Sequence, residues 1–134
     1  MKKLTALILS LVFVITLVGC SSVTTKESLI LRDGNVKKIS VSSLPEGYDY
    51  SFSGKDAEKI IDYLSNLNLI EQFEEKPNEY DGMTWVISLE YDDEDVWQIY
   101  HFGNMFIRVE GGSWYKMTYE EASRFDDLMD ELNK

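Results

Sequence analysis

The chain has 134 residues, 44% of them hydrophobic and 13% aromatic, and its formal net charge is −11. This length suits one domain with a single hydrophobic core, and the apolar content is sufficient to build it. A strongly negative surface repels the phosphates of nucleic acids, so we exclude nucleic acid as a partner and expect one acidic domain.

The first twenty residues have the layout of a secretory signal peptide. Lys2 and Lys3 precede an apolar run over residues 4–18, which is followed by Gly19 and by Cys20, the only cysteine of the chain. The run is shorter than the roughly 20 apolar residues of a membrane-spanning helix, which argues against the alternative of an uncleaved anchor. The pattern therefore predicts a signal peptide over residues 1–19, cleaved before Cys20.

The motif Leu17-Val18-Gly19-Cys20 resembles the lipobox of bacterial lipoproteins. The resemblance implies that Leu17 and Gly19 are recognised during processing and that the Cys20 thiol carries diacylglycerol. It also implies acylation of the new amino terminus, and two or more acyl chains give a stable anchor at the extracytoplasmic face of the cell membrane. With Cys20 modified, no thiol remains for a disulfide, a thiolate zinc site or a cysteine nucleophile.

Residues 20–27 are polar and aperiodic, and they predict a short flexible tether to a single domain over residues 28–134. The domain begins with a predicted hairpin. Leu29–Arg32 and Val36–Val41 are its strands, and they flank a turn-prone Asp-Gly-Asn triplet.

One helix follows, between short strands. A turn at residues 45–47 precedes a strand from Tyr48 to Phe52, in which aromatic and polar residues alternate. Apolar residues then recur at spacings of three and four, which predicts an amphipathic helix over residues 54–67. Residues 69–74 are a predicted strand, and residues 75–82 are a predicted loop.

Residues 84–117 give the strongest β signal, because apolar and polar residues alternate between short turns. Thr118 and Glu121 then form a capping box, which opens a second amphipathic helix that ends near Leu132. Both helices need a sheet face to bury against. The sequence therefore predicts a two-layer α+β fold, an antiparallel β-meander with two helices packed on one face.

The face on which each strand residue lies depends on the lengths of the turns. We count four residues in the acidic turn at 92–95 and two in each glycine turn, at 103–104 and 111–112. This count places an aromatic cluster on the face away from the helices. The resulting candidate binding surface consists of Trp97, Ile99, His101, Phe106, Arg108 and Tyr115. Exposed aromatic patches with a polar rim often mark binding sites. In the alternative, the N-terminal hairpin or the loop at 75–82 folds over this face and covers it, and the cluster is then a minor core.

Acidic residues are concentrated in residues 71–95, where ten of them accompany only one basic residue, Lys76. This acidic side is a candidate docking surface for a basic partner. The four consecutive acids at 92–95 lack the ligand spacing and the central glycine of a calcium-binding loop. We therefore expect a solvated turn, with no metal and no other cofactor.

No motif in the chain indicates a particular catalytic reaction. His101 is the single histidine, and a catalytic role would require a nucleophile and an orienting acid that converge on it. We expect a membrane-anchored binding or accessory module without catalysis. Two alternatives stay open, a sensor or inhibitor that engages a basic or peptide partner through its acidic side, and a small hydrolase that uses acids near His101.

The folded part is similar in its order of elements to small lipoproteins of Gram-positive bacteria, which implies a fold and no catalytic residue. The segments that carry the likeness are Ala57–Leu67, Trp85–Tyr91, Val96–Phe102, Phe106–Val109, Trp114–Tyr115 and Tyr119–Leu132.

Overall fold

The computed structural model describes residues 28–45, 47–77, 82–103 and 105–134. The predicted signal peptide, the lipobox and the tether lie outside these residues. Within them the chain forms seven strands and two helices. The strands are β1 (Val36–Leu44), β2 (Asp49–Phe52), β3 (Leu69–Phe73), β4 (Thr84–Tyr91), β5 (Val96–Phe102), β6 (Phe106–Val109) and β7 (Trp114–Met117), and the helices are α1 (Gly54–Ser65) and α2 (Tyr119–Leu132).

The strands form one antiparallel sheet in the order β2-β1-β4-β5-β6-β7-β3. The meander from β4 to β7 occupies its centre, as the alternation in that part of the sequence predicts. Strands β1 and β3 extend the meander on its two sides, and β2 forms the edge beyond β1. The α+β class, the two helices and the antiparallel meander are therefore confirmed.

Both helices pack against one face of this sheet and enclose the hydrophobic core. Leu64 of α1 and Phe125 of α2 are fully buried, and so are Ile39, Ile87 and Ile107 on the sheet. Burying a side chain of this size contributes about 1.5–3 kcal/mol. The spacing of the apolar residues in the sequence thus predicts the buried side of each helix correctly.

The two helices begin differently. The Thr118 hydroxyl accepts a hydrogen bond from the Glu121 backbone N–H at 3.2 Å, which is half of the predicted capping box. The Glu121 carboxylate does not return to Thr118, because it accepts hydrogen bonds from Asn68 and Arg124 instead. Ser53 is the N-cap of α1, but its side chain makes no capping hydrogen bond.

The predicted hairpin at the start of the domain is wrong. Residues 28–32 form no strand, and β1 pairs with β2 on one side and with β4 on the other. Because both sides of β1 are occupied, the sheet offers no place for Leu29–Arg32. Leu29 is instead buried in the core, and the Tyr91 hydroxyl donates a hydrogen bond to the Arg32 carbonyl at 3.2 Å.

The turn between β4 and β5 is shorter than the predicted four residues. The Tyr91 N–H donates to the Asp95 carbonyl at 2.9 Å, which leaves three residues in the loop, and Glu94 has a left-handed φ of 67°. This is the three-residue hairpin loop in which a type I turn is followed by a left-handed residue. An odd loop reverses the face of every residue in the next strand.

Both glycine turns also contain an odd number of residues. The pairs Phe102↔Phe106 and Arg108↔Trp114 define these registers. Each of the three turns therefore reverses the predicted face once. The predicted faces are consequently correct for β4 and β6, where the errors cancel, and wrong for β5 and β7.

Candidate functional site

The predicted binding surface is divided between the two faces of the sheet. Phe106 and Arg108 lie on the face away from the helices, as predicted. The other four candidates lie on the helix face, and their predicted placement is wrong because of the odd turns. These four are Ile99, which is fully buried, His101, which is 2% exposed, and Trp97 and Tyr115, which are partly buried against the core.

His101 lies inside the core, where its ring stacks on Phe125 with 5.3 Å between centroids. Neither ring nitrogen has a hydrogen-bond partner of good geometry among the described residues. Burial lowers the pKa of His101 to about 4, although the nearby backbone of His101 and Gly103 opposes the shift. The imidazole is therefore neutral at pH 7 and has no access to a substrate at the surface.

The face away from the helices carries a different aromatic cluster, formed by Tyr100, Phe102, Arg108 and Trp114. The Arg108 guanidinium lies 4.8 Å from the centre of the Trp114 ring and 5.5 Å from that of Tyr100. Phe102 packs on Trp114 at 4.7 Å, and Trp114 is only 4% exposed. The aromatic faces of this cluster are thus already in contact with a cation of the chain itself.

The acidic turn is also engaged by a cation of the chain. Arg32 forms ion pairs with Asp93 and, at 2.8 Å, with Asp95, and its guanidinium lies 4.8 Å from the centre of the Tyr91 ring. The hydrogen bond to Arg32 lowers the pKa of Asp93. The described part of the chain holds no group of three or more His, Cys, Asp or Glu side chains arranged to bind a metal ion.

A groove with a volume of about 460 Å³ lies between β2, the start of β4 and α2. We call it the aromatic groove. Its walls include Tyr48, Tyr50 and Trp85, and its acidic side chains are Asp126 and Asp130. Here the exposed ring of Tyr48 lines the same groove as the carboxylates of α2.

The aromatic wall of this groove is built by neighbouring strands. The Tyr48 ring stacks on Tyr50 with 6.0 Å between centroids and on Trp85 with 6.4 Å. Ser43, the Cα partner of Trp85, fixes the Tyr48 backbone through two hydrogen bonds of 2.9 Å. The Tyr48 N–H donates to the Ser43 hydroxyl, and the Tyr48 carbonyl accepts from the Ser43 N–H. Tyr48 is nevertheless 46% exposed, so its ring is available to a ligand.

The acidic wall of the groove comes from α2. Asp126 and Asp130 are four residues apart on this helix and therefore lie on one side of it. Asp126 accepts a hydrogen bond from the Trp85 indole N–H at 3.4 Å. Partial burial and the neighbouring carboxylates of Asp127 and Asp130 raise the pKa of Asp126, against the effect of the Trp85 bond.

No basic side chain lines the aromatic groove among the described residues, and neither Asp126 nor Asp130 forms an ion pair with them. The second groove on α2, about 320 Å³ between the two helices, is different. There Lys59 pairs with Glu131 at 2.6 Å. The two aspartates of the aromatic groove thus have no ion pair among the described residues, whereas Glu131 in the neighbouring groove has one.

The aromatic groove was not predicted from the sequence. Tyr48 and Tyr50 belong to a predicted strand in which aromatic and polar residues alternate, and Trp85 lines the groove although its side chain is buried in the core. The only signal for the acidic wall was the spacing of Asp126 and Asp130, which places two like charges side by side on a helix. Nothing in the sequence brings residue 48 beside residue 126.

Comparisons with family models, with curated proteins and with solved structures found no match to this chain. Neither α1 nor α2, the helices of the described residues, combines the length and the apolarity needed to cross a membrane.

Proposed function

We propose that this chain is a lipid-anchored binding module of the extracytoplasmic membrane face, and that it holds its ligand in the aromatic groove without performing a reaction. The anchoring rests on the lipobox resemblance at Cys20. The binding role rests on one observation, the accessible groove of about 460 Å³ that combines aromatic rings with carboxylates.

The size and construction of the groove support a binding role. Small-molecule sites usually have volumes of about 300–1,000 Å³ and combine apolar walls with a few polar groups. In the aromatic groove, Ser43 and the ring contacts fix Tyr48 before any ligand arrives. A site that is ordered in advance loses less conformational entropy on binding.

The chemistry of the groove supports binding without catalysis. Its titratable side chains include two carboxylates on the same helix, and its described lining has no histidine, serine, cysteine or lysine. A catalytic set requires a nucleophile or a general base that meets an orienting partner at the reacting atom. His101, the cross-strand partner of Trp85, is buried in the core and cannot serve as that base.

The anchoring is tested by expressing the chain in a bacterium that processes lipoproteins and by feeding the cells a labelled fatty acid. The label is expected on the wild-type protein in the membrane fraction and not on Cys20→Ser. An unlabelled wild-type chain in the cytosol would overturn the anchoring.

The binding role is tested by screening a set of small fragments against the lipidated protein with ligand-observed NMR. Fragments that bind are expected to lose their signal with Tyr48→Ala and to keep it with Tyr119→Ala, a tyrosine that is 65% exposed at the start of α2. Binding that survives Tyr48→Ala, or no binding by any fragment, would overturn the groove as the ligand site.

A further inference from the structure

We propose that the aromatic groove recognises an organic cation, an ammonium or guanidinium group on a short aliphatic stem. This inference deepens the proposed function and rests on it, since it concerns the ligand class of the same site. It follows from three features of the groove: its rings, its unpaired carboxylates and a similar arrangement elsewhere in the chain.

The rings provide faces for a cation. The Tyr48 ring stacks on Tyr50, at an angle of 10° between their planes, and on Trp85, which is only 7% exposed. The Tyr48 ring, 46% exposed, therefore offers the accessible face. Aromatic faces are electron-rich, and Trp and Tyr attract a cation within about 6 Å of the ring centre. A cluster of such faces is the usual receptor for alkylated ammonium groups.

The carboxylates select for positive charge. Asp126 and Asp130 have no cationic partner among the described residues, and Asp126 is partly withdrawn from water. A ligand cation would replace the missing partner and relieve the repulsion between the two acids. A ligand anion would meet two negative charges beside the aromatic wall.

The chain itself provides the same chemistry at a second place. Arg32 lies against the Tyr91 ring and is paired with Asp93 and Asp95, two residues apart in the acidic turn. The Tyr91 site therefore contains a ring, two aspartates and a guanidinium. The aromatic groove contains the rings and the two aspartates, and the position of the cation is open to a ligand.

The first experiment compares a cation with a neutral molecule of the same shape. Choline and its uncharged isostere, in which carbon replaces the quaternary nitrogen, are titrated into the lipidated protein in non-ionic detergent, with ligand-observed NMR as the readout. We expect choline to bind with a dissociation constant on the order of 1 mM and the isostere to bind at least about tenfold more weakly. Blocked arginine and lysine amides in parallel titrations distinguish a peptide side chain from a free quaternary amine as the source of the cation.

Matched variants assign the binding to the groove. Asp126→Asn and Asp130→Asn are each expected to weaken choline binding several-fold, whereas Asp62→Asn, on α1 in the other groove, leaves it unchanged. Added salt should weaken cation binding to the wild-type protein and have less effect on the double Asp126→Asn, Asp130→Asn variant.

The outcomes separate the two proposals. If the isostere binds as tightly as choline and Tyr48→Ala removes both, the groove remains a binding site and the cation inference is overturned. If neither the cations nor the fragment set binds to the groove, both proposals fail. Equal losses with Asp126→Asn and Asp62→Asn would also overturn the cation inference.

Discussion

Replacement of His101 by leucine should remove a large part of the acid sensitivity of this fold. The imidazole is 2% exposed, and its pKa is lowered from 6.5 to about 4 by burial. In the unfolded chain it takes up a proton as the pH falls below about 6.5, whereas in the folded chain it stays neutral until about pH 4. The wild-type protein therefore loses stability between these pH values, by roughly 3 kcal/mol at 1.36 kcal/mol per pKa unit.

The measurement is the free energy of unfolding in urea at pH 7 and at pH 4, followed by tryptophan fluorescence. The carboxyl groups titrate in both proteins, so the difference between wild type and His101→Leu isolates the histidine. We expect the wild type to lose about 3 kcal/mol more than His101→Leu over this interval. Parallel pH dependences of the two proteins, within about 0.5 kcal/mol, would show that burial of His101 does not cause the loss of stability in acid.

Two matched pairs of variants and one single variant test other parts of the fold. Thr118→Ala should lower the free energy of unfolding by about 1 kcal/mol, and Ser53→Ala by much less, because only Thr118 makes a capping bond; equal losses would contradict this. Ile99→Ala should lower the free energy of unfolding by about 2–5 kcal/mol, whereas Val96→Ala, which removes an exposed side chain, should lower it little. A larger loss with Val96→Ala in denaturant titrations would favour the register predicted from the sequence. Ser43→Ala should accelerate amide hydrogen exchange at Tyr48, whose N–H it leaves without an acceptor; unchanged exchange would show that Ser43 does not fix the groove wall.

Sequence patterns were sufficient for the elements and their class, because periodicity is a local property. Apolar spacing placed α1 within two residues of its observed end, and alternation located all four strands of the meander. The hairpin at Leu29–Arg32 failed because pairing is decided by which strands compete for β1. Strand β2 and a partner far away in sequence, β4, occupy the two sides of β1 and leave none for residues 29–32.

The faces of β5 and β7 could not be predicted because one residue in each turn decides them. The acidic turn contains four consecutive acids, and nothing in their residue types indicates that Asp95 pairs with Tyr91 and so lies outside the loop. Glu94 adopts a left-handed conformation that glycine or asparagine usually occupies. Because neither residue stands at this position, the sequence does not indicate the shorter loop. The candidate surface around His101 depended on this count, and it changed faces with it.

The aromatic groove could not be predicted from the sequence for a different reason. Its aromatic wall comes from the hairpin of β1 and β2 and from β4, and its acidic wall comes from the last helix. Each residue has an ordinary local explanation as a strand or helix position. Only the packing of α2 across the start of β4 turns these positions into a site.

Strand β4 also separates the groove from the place where the described chain begins. Trp85, near its start, lines the groove, and Tyr91, at its end, contacts Arg32 and Gly34. Six residues at about 3.3 Å each place these two points about 20 Å apart. If the proposed lipid anchor at Cys20 holds the N-terminus at a membrane, the aromatic groove would lie toward the far side of the domain, where molecules in solution reach it without passing between the protein and the lipid head groups.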